Sequence, residues 1–180
     1  MQLTIHTSED APAASRELLE GISTDLGFIP NMAGVAAGAP ALLGAFDGMR
    51  RAVGSGGLDP VAREVAGLAV GVAVDNHYGI AFHSTVLDGL GLADTEVEHI
   101  RAGRTPADPK LAAIAELARG LTLERGKADD AVQRAAAAGW SREEILEVVA
   151  ECAFAGLVGV LDNLAGRVPL DAALAPRAWN

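Results

Sequence analysis

Cysteine is almost missing from this 180-residue chain: Cys152 stands alone. That excludes an intrachain disulfide framework and fits a reducing compartment, so a cytoplasmic protein is expected. Basic residues are short as well. Fourteen Lys and Arg stand against 24 Asp and Glu, a net charge of −10, with no basic cluster anywhere. A surface that tracks nucleic-acid phosphates is therefore not expected. Long apolar runs are also lacking. The longest, Ala66–Val74 and Cys152–Leu161, reach about half of the ~20 residues that span a bilayer, so no membrane partner is expected. The first twenty residues show no basic start followed by an apolar stretch, and no signal peptide is read there. Aromatic residues make up only 4% of a chain that is half apolar. What is abundant is small: 36 Ala and 21 Gly. The core must be built from small side chains closely packed, in a chain long enough to bury roughly 70% of its unfolded surface.

The pattern of these residues is helical. Alternation of β-branched and aromatic residues is never sustained, whereas helix starts and stops recur. Asp10 is positioned to cap a first helix to about Leu26, closed by Gly27. Phe28–Asn31 forms a turn into a short helix ending near Gly38, and Pro40 begins another that runs to the Gly54–Gly57 break. Asp59-Pro60 and Asp108-Pro109 are start signals, an acid at the cap and proline at the first helical position. Asp94 or Thr95 opens a helix to Ala102, and Ala128–Ala138 is a further one. Ser141 with Glu144 is a capping box at the head of a long apolar helix to about Ala165. The tail from Pro169 is expected to lie over the surface or on a neighbour. No linker divides the chain, so one all-α domain over 1–180 is expected. A faint internal echo joins Gly57–Val65 to Gly139–Val148, each leading into a Gly/Ala/Val-rich helix that ends in Asp-Asn.

Candidate chemistry sits in the centre. An uninterrupted helix from Asp59 to Leu87 would be unusually long, and Asp75-Asn76 offers a restart. On the restarted helix Asn76, Gly79 and His83 fall on one face. Glu64, on the preceding helix, could fold back towards them. An acid, an imidazole and a carboxamide would then meet beside a helix N-terminus, a reasonable small acid–base site. Each residue also has a plainer role: Glu64 as a dipole partner, His83 as a core histidine, Asn76 as a helix cap. Tyr78, the only tyrosine, either lines a pocket or packs in the core. Asp75, His77 and His83 could suggest a metal, but His77 and His83 diverge on a helix, and no metal is expected. Cys152 reads as a small buried hydrophobe.

The run Leu26-Gly27-Phe28-Ile29-Pro30-Asn31, then Ala39-Pro40, Arg63-Glu64 and the His83 segment resembles the carboxymuconolactone decarboxylase and alkylhydroperoxidase D superfamily, in particular its peroxidase-related branch. The resemblance extends over about residues 20–170. In the family's redox-active members an acid precedes the first cysteine of a C-x-x-C pair by twelve positions and a histidine follows that cysteine by seven. Glu64, position 76 and His83 reproduce both intervals. The resemblance implies a compact multi-helix bundle of the alkylhydroperoxidase D type and a homo-oligomer, a trimer or a hexamer. Both cysteine positions differ here, being Asn76 and Gly79. Dithiol peroxidase activity, which needs an attacking thiolate and a resolving thiol, is therefore not expected.

The leading expectation is a cofactor-free, carboxymuconolactone decarboxylase-like enzyme. It would decarboxylate or isomerise a small organic acid or lactone, with Glu64 and His83 catalytic and Asn76, Tyr78 and Gly79 contacting substrate. Two alternatives stand beside it: an alkylhydroperoxidase-related antioxidant protein that has lost its redox cysteines, and a non-catalytic small-molecule binder or scaffold on the same fold.

Overall fold

Capping chemistry written into the sequence divides the chain into helices. The computed structural model describes residues 3–179, and among them there is no strand. Nine α-helices follow in order: α1 Ala13–Leu26, α2 Asn31–Ala36, α3 Pro40–Gly54, α4 Pro60–Ala73, α5 His77–Gly89, α6 Asp94–Arg101, α7 Pro109–Leu123, α8 Asp129–Ala137 and α9 Arg142–Ala165. A short 3-10 turn, Ala175–Arg177, closes the tail. Asp59 accepts the Ala62 amide and Asp108 accepts those of Lys110 and Leu111, each with proline at the first helical position. At α9 the Ser141 hydroxyl accepts the Glu144 amide while the Glu144 carboxylate accepts the Ser141 amide. Such a cap contributes about 1 kcal/mol to helix stability. Gly27 (φ 81°) and Gly166 (φ 70°) end α1 and α9 in the left-handed region, where a side chain would be strained.

The first helix starts later than the sequence suggests. Asp10 spends its carboxylate on the Thr7 amide and hydroxyl, and α1 begins at Ala13 behind Pro12 with no side-chain cap. Helix α6 opens at Asp94, as the sequence suggests, behind Ala93 and without a side-chain cap.

Helix α4 is the axis of the packing, buried along Glu64–Gly71. Its small residues let α5, α7 and α9 approach closely, the gain a chain rich in Ala and Gly can make. The core has two apolar clusters, the first built on α4. One joins Val65, Leu68, Ile80, Leu87, Ile114, Leu117 and Val148; the other joins Leu19, Ile22, Met32, Leu43, Phe46, Tyr78 and Leu161. Each fully buried Leu or Ile contributes roughly 1.5–3 kcal/mol. Helices α5 and α9 face both clusters, Ile80 and Val148 one way, Tyr78 and Leu161 the other. The tail folds back on its own chain. Arg177 pairs with Asp88, Asp94 and Glu98, and the Arg101 guanidinium donates to the Arg177 and Ala178 carbonyls.

Candidate active site

The α4–α5 junction sets the site. Asp75, at φ 56°, turns the chain, and Asn76 then caps α5 by accepting the Gly79 amide at 2.8 Å. The reversal lays α5 against α4 and brings His83 to Glu64, nineteen residues earlier. His83 Nδ1 and Glu64 Oε2 are 2.8 Å apart, at 6% and 4% residue exposure. Arg63 Nε donates to the other Glu64 oxygen at 3.0 Å. A third group comes from α9: Glu151, 2% exposed, places Oε1 3.7 Å from His83 Nε2, and that oxygen has no hydrogen-bond partner. Gly67 makes the room. A Cβ there would lie 2.5 Å from His83 Nε2 and 2.6 Å from Glu151 Oε1, so a larger residue would drive the pair apart.

Burial and charge act differently on the three groups. Burial works against ionised Glu64, but the hydrogen bond and charge of His83, with Arg63, hold its carboxyl below the usual range. For His83 burial works against the imidazolium, and the Glu64 hydrogen bond and charge, helped by Glu151, carry it above its ordinary value. Glu151 is pushed up, by burial first and then by the Glu64 charge, against the opposing pull of His83 and Arg63. The shifts therefore favour an ionised Glu64 and a protonated His83 beside a second carboxyl shifted towards neutrality, a separation that suits acid–base work.

These groups border a cavity of about 250 Å³. Its walls are mostly apolar, with Met32, Phe46, Phe82, Phe154 and Val158 around the polar end formed by Arg63, Glu64, His83 and Glu151. Tyr78 and Gly79 are also on the wall. The Tyr78 hydroxyl donates to Asp171 of the tail, and burial together with that carboxylate holds its pKa far above the ordinary phenol range. It is a neutral wall group. Asn76 is fully buried and does not border the cavity; its Oδ1 is committed to the Gly79 amide. A Cβ at position 79 would lie 2.2 Å from Asn76 Nδ2, so the capping amide and the glycine go together.

His77 lies outside the cavity, its Nε2 3.4 Å from Asp75 and its ring edge-on to Trp179. Among the described residues no three His, Cys, Asp or Glu side chains converge as a metal site. Cys152 points away to the Ala118 carbonyl at 3.7 Å, with its thiol pushed up to about 11 by burial. The sequence reading missed Glu151. Its signal was an acid isolated in an apolar helix, eleven residues before Asp162-Asn163, as Glu64 is before Asp75-Asn76.

Residues 40–120 match the carboxymuconolactone decarboxylase family. No curated protein matches the chain. Among solved structures, the alkylhydroperoxidase AhpD core of a peroxidase-related protein from Ralstonia eutropha JMP134 is 19% identical with a TM-score of 0.76, over 94% of this chain and 92% of that one. A peroxidase-related protein from Silicibacter sp. TM1040 is 16% identical at 0.76, over 96% and 91%. The debrominase Bmp8, as a cysteine-to-alanine variant in complex with 2,3,4-tribromopyrrole, is 18% identical at 0.79, over 98% and 95%. At these identities the likeness establishes a shared fold. The central segment thus matches the carboxymuconolactone decarboxylase family, and the chain along nearly its whole length shares the fold of the alkylhydroperoxidase AhpD core.

Proposed function

We propose that the chain is a cofactor-free, non-thiol enzyme that moves protons on a small organic acid or lactone, isomerising or decarboxylating it through Glu64 and His83. The observation that carries this reading is the 2.8 Å Glu64–His83 pair at the polar end of an open, apolar-walled cavity. Glu64 fixes the imidazole through Nδ1 and stabilises its charged form. Nε2 is left to face a reacting group, where an N–H donor can steady the oxyanion that develops when a carbon beside a carbonyl loses a proton or carbon dioxide. The family's decarboxylase name supports this, as does the small ring held by the debrominase of the same fold. The cavity is not filled by its Phe side chains, which speaks against a scaffold that keeps only the fold. The positions of the missing cysteines carry a helix cap and the glycine packed against it, which speaks against thiol chemistry.

Turnover of this pair should follow a bell-shaped pH profile. It requires Glu64 ionised and His83 protonated. Activity is therefore lost on the acid side as the carboxylate of the site takes up a proton, and on the alkaline side through a value above the ordinary 6.5 of a histidine. The experiment is a rate-against-pH series on small unsaturated lactones and 3-oxo acids. A profile whose alkaline limb falls below that ordinary histidine value contradicts the assignment.

A further inference from the structure

The geometry points to Glu151 as the catalytic residue that carries the proton, with His83 as its electrophilic partner and Glu64 as the positioning residue behind. This rests on the proton-transfer reading above and assigns its roles. Three observations support it. Glu151 Oε1 is buried without a hydrogen-bond partner, which is costly for a polar atom. Both Glu64 oxygens already have a partner, one in His83 and one in Arg63, which ties Glu64 to holding the imidazole. And Gly67 keeps open a space, within contact of both His83 Nε2 and Glu151 Oε1, that any Cβ would fill.

The sequence echo gives the arrangement a structural logic. Glu64 on α4 and Glu151 on α9 each stand eleven residues before an Asp-Asn pair, Asp75-Asn76 just past the end of α4 and Asp162-Asn163 in the last turns of α9. Helices α4 and α9 thus deliver one carboxyl to each ring nitrogen of His83. One side is closed by a short hydrogen bond, and the other is left at 3.7 Å with the cavity beside it.

On a β,γ-unsaturated lactone the steps balance without any other reagent. The Glu151 carboxylate takes a proton from the carbon between the carbonyl and the double bond. The electron pair of that C–H bond moves through the carbonyl to give a dienolate, whose oxygen accepts from His83 Nε2–H. The Glu151 carboxyl then returns its proton to the far carbon and the conjugated lactone leaves. One C–H bond is broken and one formed, and both residues end as they began. The raised pKa of Glu151 suits this work, because a base nearer neutrality both takes and returns a proton readily.

The test uses α-angelica lactone with the full chain, following the conjugated isomer and deuterium uptake from D₂O, together with ¹⁵N NMR titration of His83. The groups facing the His83 ring are Glu64, Glu151 and Arg63. Glu151→Gln is expected to lower turnover about 10²-fold or more, and formate is expected to restore activity to Glu151→Ala but not to Glu64→Ala. Removing the Glu151 charge is also expected to lower the His83 titration midpoint. Wild-type turnover that persists within a few-fold in Glu151→Gln overturns the Glu151 assignment and leaves the proton-transfer reading standing. A wild type inert to the lactone counts against that reading, and the NMR arm then decides on Glu151: a lowered midpoint supports the pair, and an unchanged one overturns it.

Discussion

Glu151 shows how one residue can serve a site at the expense of the fold. Its folded-state pKa lies above the ordinary 4.5, so its neutral form suits the interior and its contribution to stability is complete below that value. The contribution is lost as pH rises through the raised pKa, because a carboxylate must then be kept in a place that solvates it poorly. Glu64 has the opposite sign: its stabilisation is present above its ordinary value and lost as pH falls through the depressed one. His83 contributes fully below its ordinary 6.5 and loses that contribution as pH rises through its raised value. Glu151→Gln should therefore gain in melting temperature relative to wild type as pH rises through the raised pKa of Glu151. Thermal melts at a series of pH values check this; a difference that shrinks with rising pH contradicts the burial of Glu151. At this scale the sequence was half legible. Glu64 and His83 stood out by spacing. Glu151 did not, since what makes it a site residue is a 3.7 Å approach across α9 that no local pattern records.

At the scale of the element, the turn between α4 and α5 decides whether the site exists. Asn76 was legible both as a cap and as a substrate contact, and the structure gives it the cap. The amide accepts the Gly79 N–H and crowds the space above Gly79, so the two residues form one unit. Asn76→Ala should cost about 1 kcal/mol. Gly79→Ala alone should be destabilising, because its new methyl meets the Asn76 amide. In the double variant that clash is gone, and the combined cost should be smaller than the sum of the two. A double-mutant cycle by chemical denaturation measures it, and strict additivity contradicts the coupling. Helix boundaries were legible wherever a side chain does the capping, as at Asp59, Asp108 and Ser141. They were misread at Asp10, whose side chain finds a nearer partner in Thr7 and leaves α1 to begin behind Pro12.

For the whole molecule, the all-helical architecture followed from the recurring helix starts and stops and the lack of sustained alternation, while the Ala- and Gly-rich composition told only that the helices pack closely. The pairing of helices did not follow, because α4 against α5, α7 and α9 depends on contacts distant in sequence. The outer face of α9 bears Leu146, Val149, Val160 and Leu164, each 45–65% exposed and set at helical intervals. The homo-oligomer expected from the sequence has an apolar face on which to form. Sedimentation velocity should show a trimer or a hexamer, and Leu146→Glu with Val160→Glu should shift it towards smaller species. A stable wild-type monomer at micromolar concentration contradicts it.

The central claim is that Glu64 and His83 form one proton-transfer unit at the cavity. Deuterium incorporation from D₂O into α-angelica lactone, measured by NMR for wild type, Glu64→Gln and His83→Ala with folding checked by circular dichroism, tests it most directly. Each variant should exchange about 10²-fold more slowly or worse with its helical spectrum retained; exchange at the wild-type rate in both folded variants would contradict the claim.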